Sequence, residues 1–470
     1  MPLASNQPGV LLPTLPCAEP HAEVVLFAFD DGVFPFRRNV DTRLIAGQQP
    51  RLVLRHGEEG AHDEVLLYAG SVARIGDRFH MWYNGNYGPL ANEISFERTN
   101  CCVCYATSPD GIAWEKPNLG LVEFNGNRQN NIVDLHAPTL WSGAAVLFDP
   151  DDAAHGRRYK MAYQAWIGGT LQFCVAFSSD GRRWRPASLN PVGPEFMVSG
   201  VVRHHRRYYA CGQLAGDPRL AVLTSNDFEH WSPCAAPGMD RAGEGADEQV
   251  HLGAGLWNRG NAVLAIYGQW HGHPTGDRRL ASIDLGLAIS HDAVHYREPV
   301  PGFRFVPAAE QPYSPVGFAP ALLQGQGMAN YDDHTLYWYS LWRGARGNGA
   351  RLVSWTRDRL GALQPNQPGN AQVITCPFEV AAGRVRARLN VSGLGENTHL
   401  RVSLLDEGFR PVQRYSGADA GIIAESGLGV PIHWGGGDLL LPSHGLMRLA
   451  VNFEGIRPED ARLYAIYLGE

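Results

Sequence analysis

The densest run of chemically capable side chains in this chain is Asp247-Glu248-Gln249-Val250-His251, two carboxylates and an imidazole within five residues. In an extended strand Asp247, Gln249 and His251 share one face and Glu248 points the other way. Glu64 and Glu195 stand in the same place relative to other runs, at the head of an alternating apolar stretch. Paired carboxylates suit cleavage of a glycosidic bond, where one protonates the leaving oxygen and the other acts as base or nucleophile. Their separation is about 5–5.5 Å for retention of configuration and roughly 6.5–9.5 Å for inversion. Asp247, Glu248, Glu64 and Glu195 are therefore the candidate catalytic residues. Sugar binding also needs flat apolar platforms and planar hydrogen-bonding groups. Trp82, Asn84, Trp141, Trp270 and His271 lie in or beside the same runs, as do His251, Arg343 and the pair Gln324 and Gln326. Two residues apart, those glutamines put two amides on one strand face.

The elements that must hold these groups follow from a repeat. Ser or Thr, then Asp, then an aromatic residue four positions after the Asp, recurs as Ser108-Asp110-Trp114, Ser179-Asp180-Trp184, Ser225-Asp227-Trp231 and Ser290-Asp292-Tyr296. A fifth, worn copy is Thr356-Arg357-Asp358, with Ala362 in the aromatic position. An alternating run and an aromatic-rich partner precede each copy, and strand repeats of this length predict a propeller, here of five blades. The Asp accepts backbone N–H bonds in a tight turn where Gly takes positive φ, and the aromatic packs between blades. These residues read as scaffold. The first strand of each blade would line a channel, with the entering loops gathered at its mouth. From Arg384 the alternation becomes Val385-Ala387-Leu389-Val391, then Leu400-Val402-Leu404 and Met447-Leu449-Val451-Phe453, which predicts a β-sandwich. The expected fold class is all-β: an extension over 1–22, a five-bladed β-propeller over 23–375, and a C-terminal β-sandwich over 376–470.

Size and composition agree with that plan. A chain of 470 residues holds two domains or one large closed one. With 44% hydrophobic and 19% charged residues it is of ordinary globular composition. A net charge of -7 argues against nucleic acid or an anionic membrane as partner. Met1 to Pro20 is Pro-rich, without the basic start and apolar stretch of a secretory signal, so a cytoplasmic location is expected. Cys101, Cys102 and Cys104 crowd one predicted strand without zinc-type spacing, and read as buried free thiols. There is no phosphate loop, zinc helix or nucleophile elbow, so no metal or cofactor is expected.

The segment Tyr105 to Gly120, Tyr-Ala-Thr-Ser-Pro-Asp-Gly-Ile-Ala-Trp-Glu-Lys-Pro-Asn-Leu-Gly, resembles the blade signature of bacterial proteins grouped with glycoside hydrolase family 32. Met81-Trp82-Tyr83-Asn84-Gly85 fits the same pattern, as does Asp247 to Ala254 followed by Trp257 to Asn261. The resemblance implies the superfamily that also holds families 43, 62 and 68, whose members are furanosidases, fructosidases and arabinanases. It implies an oligosaccharide or glycoside substrate and cleavage of a terminal furanosyl or similar glycosidic bond. Family 32 enzymes carry their acids in Asn-Asp-Pro-Asn, Arg-Asp-Pro and Glu-Cys motifs, none of which is recognisable here. Asp149-Pro150-Asp151 reads as a hairpin turn, so no catalytic residue is carried over from the family. A glycoside phosphorylase and a non-catalytic carbohydrate-binding propeller are the alternatives.

Overall fold

The computed structural model describes residues 9–16, 19–90, 98–136, 140–245, 247–308, 317–342, 349–367, 369–382, 384–437, 439–443 and 445–470. Strands, turns and three-residue 3-10 segments make an all-β chain. Antiparallel meanders begin at Val65–Ile75, Leu140–Phe148, Phe196–His204, Glu248–Asn258 and Leu322–Tyr331. These first strands touch one another in that order, and the last touches the first, so the meanders radiate from an axis as a β-propeller. Gln48–Arg55 pairs antiparallel with Gly349–Thr356, so the outer strand of the last meander comes from chain that precedes the first. That pairing ties the ring shut and covers the edge of Gly349–Thr356.

At the axis the first strands lie side by side without forming a ladder. Among the described residues a single bridge, Gln326 with Ser71, joins two of them. Each first strand also bulges midway, for example between His251 and Ala254 and between Gln324 and Met328. A bulge leaves main-chain groups unpaired, and polar side chains meet them. Gln326 donates to the Val146 carbonyl (2.9 Å) and accepts from the Val201 N–H. Gln324 donates to the carbonyls of His251 (2.7 Å) and Gly253 (3.0 Å). Ser71 donates to the Ala144 carbonyl (3.0 Å) and accepts from the Val146 N–H (2.7 Å). Gln324 and Gln326, expected to bind sugar, are buried struts across the axis.

The repeated turn has one geometry in four copies. Ser108 donates to Asp110 Oδ1 at 2.9 Å, and that oxygen accepts the N–H groups of Ile112 and Ala113 at 2.8 Å each. Asp180, Asp227 and Asp292 do the same. In the second copy the serine is Ser178 rather than Ser179, which makes the spacing Ser-x-Asp throughout. Trp114, Trp184 and Trp231 bend back to donate to a carbonyl of their own turn. The indole that crosses between blades sits instead on the second strand of the preceding meander. Trp82 donates to the Gly181 carbonyl (2.7 Å) and Trp338 to that of Gly111 (2.9 Å). Gly181 has φ 72°, and a Cβ there would stand 2.8 Å from the Trp82 ring. Trp82 is thus a fully buried blade-to-blade tie, not the sugar platform expected of it.

The strands of residues 23–44 and 361–374, read from sequence as propeller, pair with the C-terminal sheets. Glu23–Phe27 pairs with Arg462–Gly469, Val40–Leu44 with Gly361–Pro365, and Phe36–Arg38 with Ala371–Ile374. Two sheets face each other across a core that includes Val24, Leu26, Leu389, Val391, Val402, Leu449 and Ile466. The run Val24-Val25-Leu26-Phe27 is apolar on both faces because both are covered. Val24 and Leu26 enter the sandwich core, while Val25 and Phe27 pack with Leu264, Ile266 and Leu287 of the propeller.

Asp358, from the worn fifth copy, is the polar centre of this junction and is 1% exposed. It accepts from Asn330 (3.0 Å), from the Tyr467 hydroxyl (2.9 Å) and from Arg259 Nη2 (3.2 Å). Burial pushes its carboxyl up, but the Arg259 charge and these hydrogen bonds outweigh that and hold it below the usual carboxylate range. A depressed carboxyl contributes stability above its unfolded value, near 3.9, which is lost as pH falls through the folded one. Asp358→Asn strands Arg259 and is expected to cost about 3 kcal/mol in denaturant unfolding at pH 7. Below pH 4 the gap between variant and wild type narrows.

Candidate functional site

The first strand of the fourth meander begins just after a sharp turn. Asp247 takes φ 60°, a left-handed conformation that Asp tolerates better than most residues. Its Oδ1 accepts from the Gln249 side-chain amide at 2.6 Å. Its Oδ2 lies over Gly272, where an added Cβ would come within 2.1 Å, so any side chain at 272 would displace the carboxylate. Asp247, Gln249, Trp270, Gly272, His273 and Arg278 line a pocket of ≈ 620 Å³, within the range of small-molecule sites. The Arg278 guanidinium lies 5.0 Å from the Trp270 ring centre. His273 Nδ1 meets the Thr275 hydroxyl at 2.8 Å, which fixes the loop between the second and third strands as the outer wall.

Behind this wall, on the other strand face, runs a chain of charges. Glu248 lies opposite His271, which itself lies opposite Ser282. Glu248 contacts Arg241 Nη1 (3.1 Å) and His271 Nδ1 (3.0 Å). His271 Nε2 is 3.0 Å from Asp284, which also meets Arg304 Nε (3.2 Å) and the Ala308 N–H (2.5 Å). Both imidazole nitrogens therefore face carboxylates, which only accept. Burial lowers the His271 pKa, but the Asp284 hydrogen bond and the Glu248 charge outweigh it, and the net shift is upward. Arg241, 2% exposed, completes the strut. Glu248 and His271 hold the two strands that present Asp247, Gln249 and Trp270.

The remaining expected site residues are spread apart. His251 is buried under Trp270 and Trp342, with ring centres 5.7 and 4.4 Å away. Glu64 accepts from the Gly60 N–H at 3.3 Å in the loop entering the first meander, and Glu195 is exposed at the entrance to the third. Neither is among the lining residues of the pocket at Asp247. Asn84 is buried and donates to Cys101 Sγ at 3.1 Å, so it faces a thiol within its own meander. Arg343 and the side chain of Trp141 lie outside the described residues. Reading the sequence missed Gly272, His273 and Arg278, whose signal is the run Trp270-His271-Gly272-His273, and Arg241, which nothing local distinguishes.

No family model and no curated protein matches the chain. Solved structures of similar shape include a glycosyl hydrolase from Bacteroides ovatus, at TM-score 0.42 and 13% identity over 63% of this chain and 85% of that one. A second was described with the GH130 family of mannoside phosphorylases and its glycoside hydrolases that target β-1,2 mannosidic linkages in Candida mannan. It reaches 0.42 and 14% over 70% and 96%. An exo-β-1,3-galactanase from Phanerochaete chrysosporium with β-1,3-galactotriose reaches 0.36 and 12% over 90% and 100%. All three TM-scores fall below 0.5, and the site is read from its own residues.

The His271 bridge has a pH signature. A histidine raised on folding contributes stability that is complete below its unfolded value, near 6.5, and is lost as pH rises through the folded one. The Tm advantage of wild type over His271→Gln should therefore be largest near pH 6 and shrink toward pH 9. Thermal scans at both pH values check it, and an advantage that grows with pH contradicts the bridge.

Proposed function

We propose that this protein is a carbohydrate-active enzyme that cleaves a glycosidic bond at the pocket on the fourth meander. The observation that carries this reading is the convergence of one exposed carboxylate, Asp247, with an amide, an indole, an imidazole and a guanidinium around ≈ 620 Å³. Amide and carboxylate suit vicinal sugar hydroxyls, and an indole suits the apolar side of a sugar ring. Gln324 and Gln326 cross the axis beneath the mouth, so a substrate at Asp247 enters from the mouth by a chain end. That supports action on a terminal sugar, furanosyl or of similar size. Asp247 is the proton donor to the leaving oxygen, and Glu248, turned away into its ion pairs, is a positioning residue.

Phosphorolysis is the second reading, favoured over simple hydrolysis by one feature. Asp247 is the sole carboxylate among the lining residues, while His273 and Arg278 place donors and positive charge on the same wall. Phosphate would attack the anomeric carbon as the bond to the leaving oxygen breaks, and Asp247 would protonate that oxygen. The products are a sugar 1-phosphate and a shortened acceptor. In hydrolysis water takes the place of phosphate and needs a base, and the lining residues supply no second carboxylate for it.

Sugar release from a panel of fructosides, arabinofuranosides, mannosides and glucosides, with and without phosphate, separates the readings. Asp247→Asn should lower kcat by about 10²–10⁴ on the accepted substrate, and Glu248→Gln should act mainly on stability. Full turnover in Asp247→Asn overturns the placement. Release that requires phosphate selects phosphorolysis.

A further inference from the structure

The propeller holds a second cavity, at the other end of its axis. The strand Glu248–Asn258 starts beside Asp247, and its last residue, roughly 30 Å further along, lines this space. The cavity measures ≈ 340 Å³ and is lined by propeller residues alone, drawn from all five first strands. Each strand gives its floor one apolar side chain: Val72, Val146, Val201, Leu256 and Met328, none more than 7% exposed. Valine stands at three of these five positions, and its short side chain leaves the axis open where a longer one would close it. On the mouth side the floor is closed by Gln326, which reaches from the fifth first strand to the Val146 carbonyl and the Val201 N–H.

Two residues further along these strands, and so on the same face, Arg74, Phe148, Arg203 and Asn258 form the rim. The Asn258 amide is already used, since it donates to the Arg203 carbonyl (2.7 Å) and accepts from the Gly260 N–H (2.9 Å). Arg203 Nη1 lies between Asp149 (2.9 Å) and Asp151 (3.1 Å). Asp149, 3% exposed, also accepts from the Tyr208 hydroxyl (2.5 Å) and lies 3.8 Å from the Lys160 ammonium. Both rim carboxylates therefore face cations. Arg74 differs. It is exposed, its guanidinium lies 5.2 Å from the Tyr331 ring centre and 5.7 Å from that of Phe79, and no carboxylate pairs with it among the described residues. A guanidinium held against ring faces keeps its N–H donors at its edge for an acceptor.

We propose that this cavity binds a small apolar carboxylate, of the size of 3-phenylpropanoate, with its hydrocarbon body on the five floor side chains and its head group on Arg74. An apolar cavity of about 150 Å³ already takes a benzene ring, so ≈ 340 Å³ accommodates a ring, a short chain and the head group. The floor offers apolar contact, and the Gln326 amide that crosses it is engaged by main chain. A sugar, with hydroxyls all round, would leave them unmatched there. The rim supplies a forked donor, which suits a carboxylate. A cationic head group would meet Arg74 and two carboxylates that already have partners.

The test titrates the full chain at pH 7 with 3-phenylpropanoate, 3-phenylpropan-1-ol and acetate, read by calorimetry and by the methionine methyl resonances. Met328→Leu assigns the methyl on the floor. The acid should shift that resonance and bind about tenfold more tightly than the alcohol, which has the same body without the charge. Acetate, which has the charge without the body, should not bind at the same concentrations. Arg74→Gln, at an exposed position, should bring the acid down to the affinity of the alcohol and leave Tm as it is. Asp247→Asn should leave acid binding unchanged, so the result is separate from that of the glycoside reading. An acid that fails to bind at millimolar concentration overturns the proposal. So does one that binds no better than the alcohol, binds Arg74→Gln equally well, or leaves the Met328 methyl unmoved.

Discussion

Everything in the propeller depends on how five strand edges meet without pairing. The first strands converge at angles that a continuous ladder could not follow, so main-chain N–H and C=O groups would be buried unmatched at the axis. Each such group costs about 1–3 kcal/mol. Gln324, Gln326 and Ser71 reach across to satisfy them, joining the fifth strand to the second, third and fourth and the first to the second. The cost of this solution is an axis crossed by side chains partway along. Ligand space is divided: ≈ 340 Å³ lies on the axis against all five first strands, beside Val72, Val146, Val201, Leu256 and Met328, and a larger space lies beside Asp247 on the fourth meander.

The outer rim is solved differently. Four turns are held by one carboxylate each, whose oxygen gathers the next two N–H groups in an arrangement that is entirely local. Local geometry leaves a local trace, and for that reason these turns were legible as Ser, Asp and aromatic at fixed spacing. The crossing indoles were less so, since Trp82 and Trp338 belong to strands far in sequence from the turns they touch. Blade order and the alternating strands were readable for the same reason of locality. Strand pairing between distant segments was not. Nothing in Glu23–Phe27 by itself says that it lies beside Arg462–Gly469, although its apolar character on both faces marks it as buried twice.

The candidate site shows the same division. The cluster at Asp247 was visible because its acids and His251 are adjacent in sequence, and alternation correctly separated Gln249 from Glu248 by face. Their different fates depend on partners that sequence does not display. Glu248 meets Arg241 and His271, while Asp247 meets an amide and an open pocket. Amides and indoles were the hardest to place, because Gln324 and Trp82 use the same hydrogen bonds to tie strands that they would use to hold a sugar. Asp358 is the clearest case of a residue whose position in a repeat misleads. Its carboxylate serves the junction with Arg259, Asn330 and Tyr467 instead of a turn.

The interleaving of the sandwich sheets has a consequence for how the chain comes off the ribosome. Strands before the propeller and strands after it share the same two sheets, so the propeller is in effect a long insertion within the sandwich. Glu23–Phe27 emerges early with two greasy faces, yet its hydrogen-bonding partner Arg462–Gly469 is synthesised after the whole propeller. The face of this segment that meets the fourth meander is covered once that meander is made, and the other face waits for the sandwich. The sandwich therefore closes only once the last strand of the chain has been made.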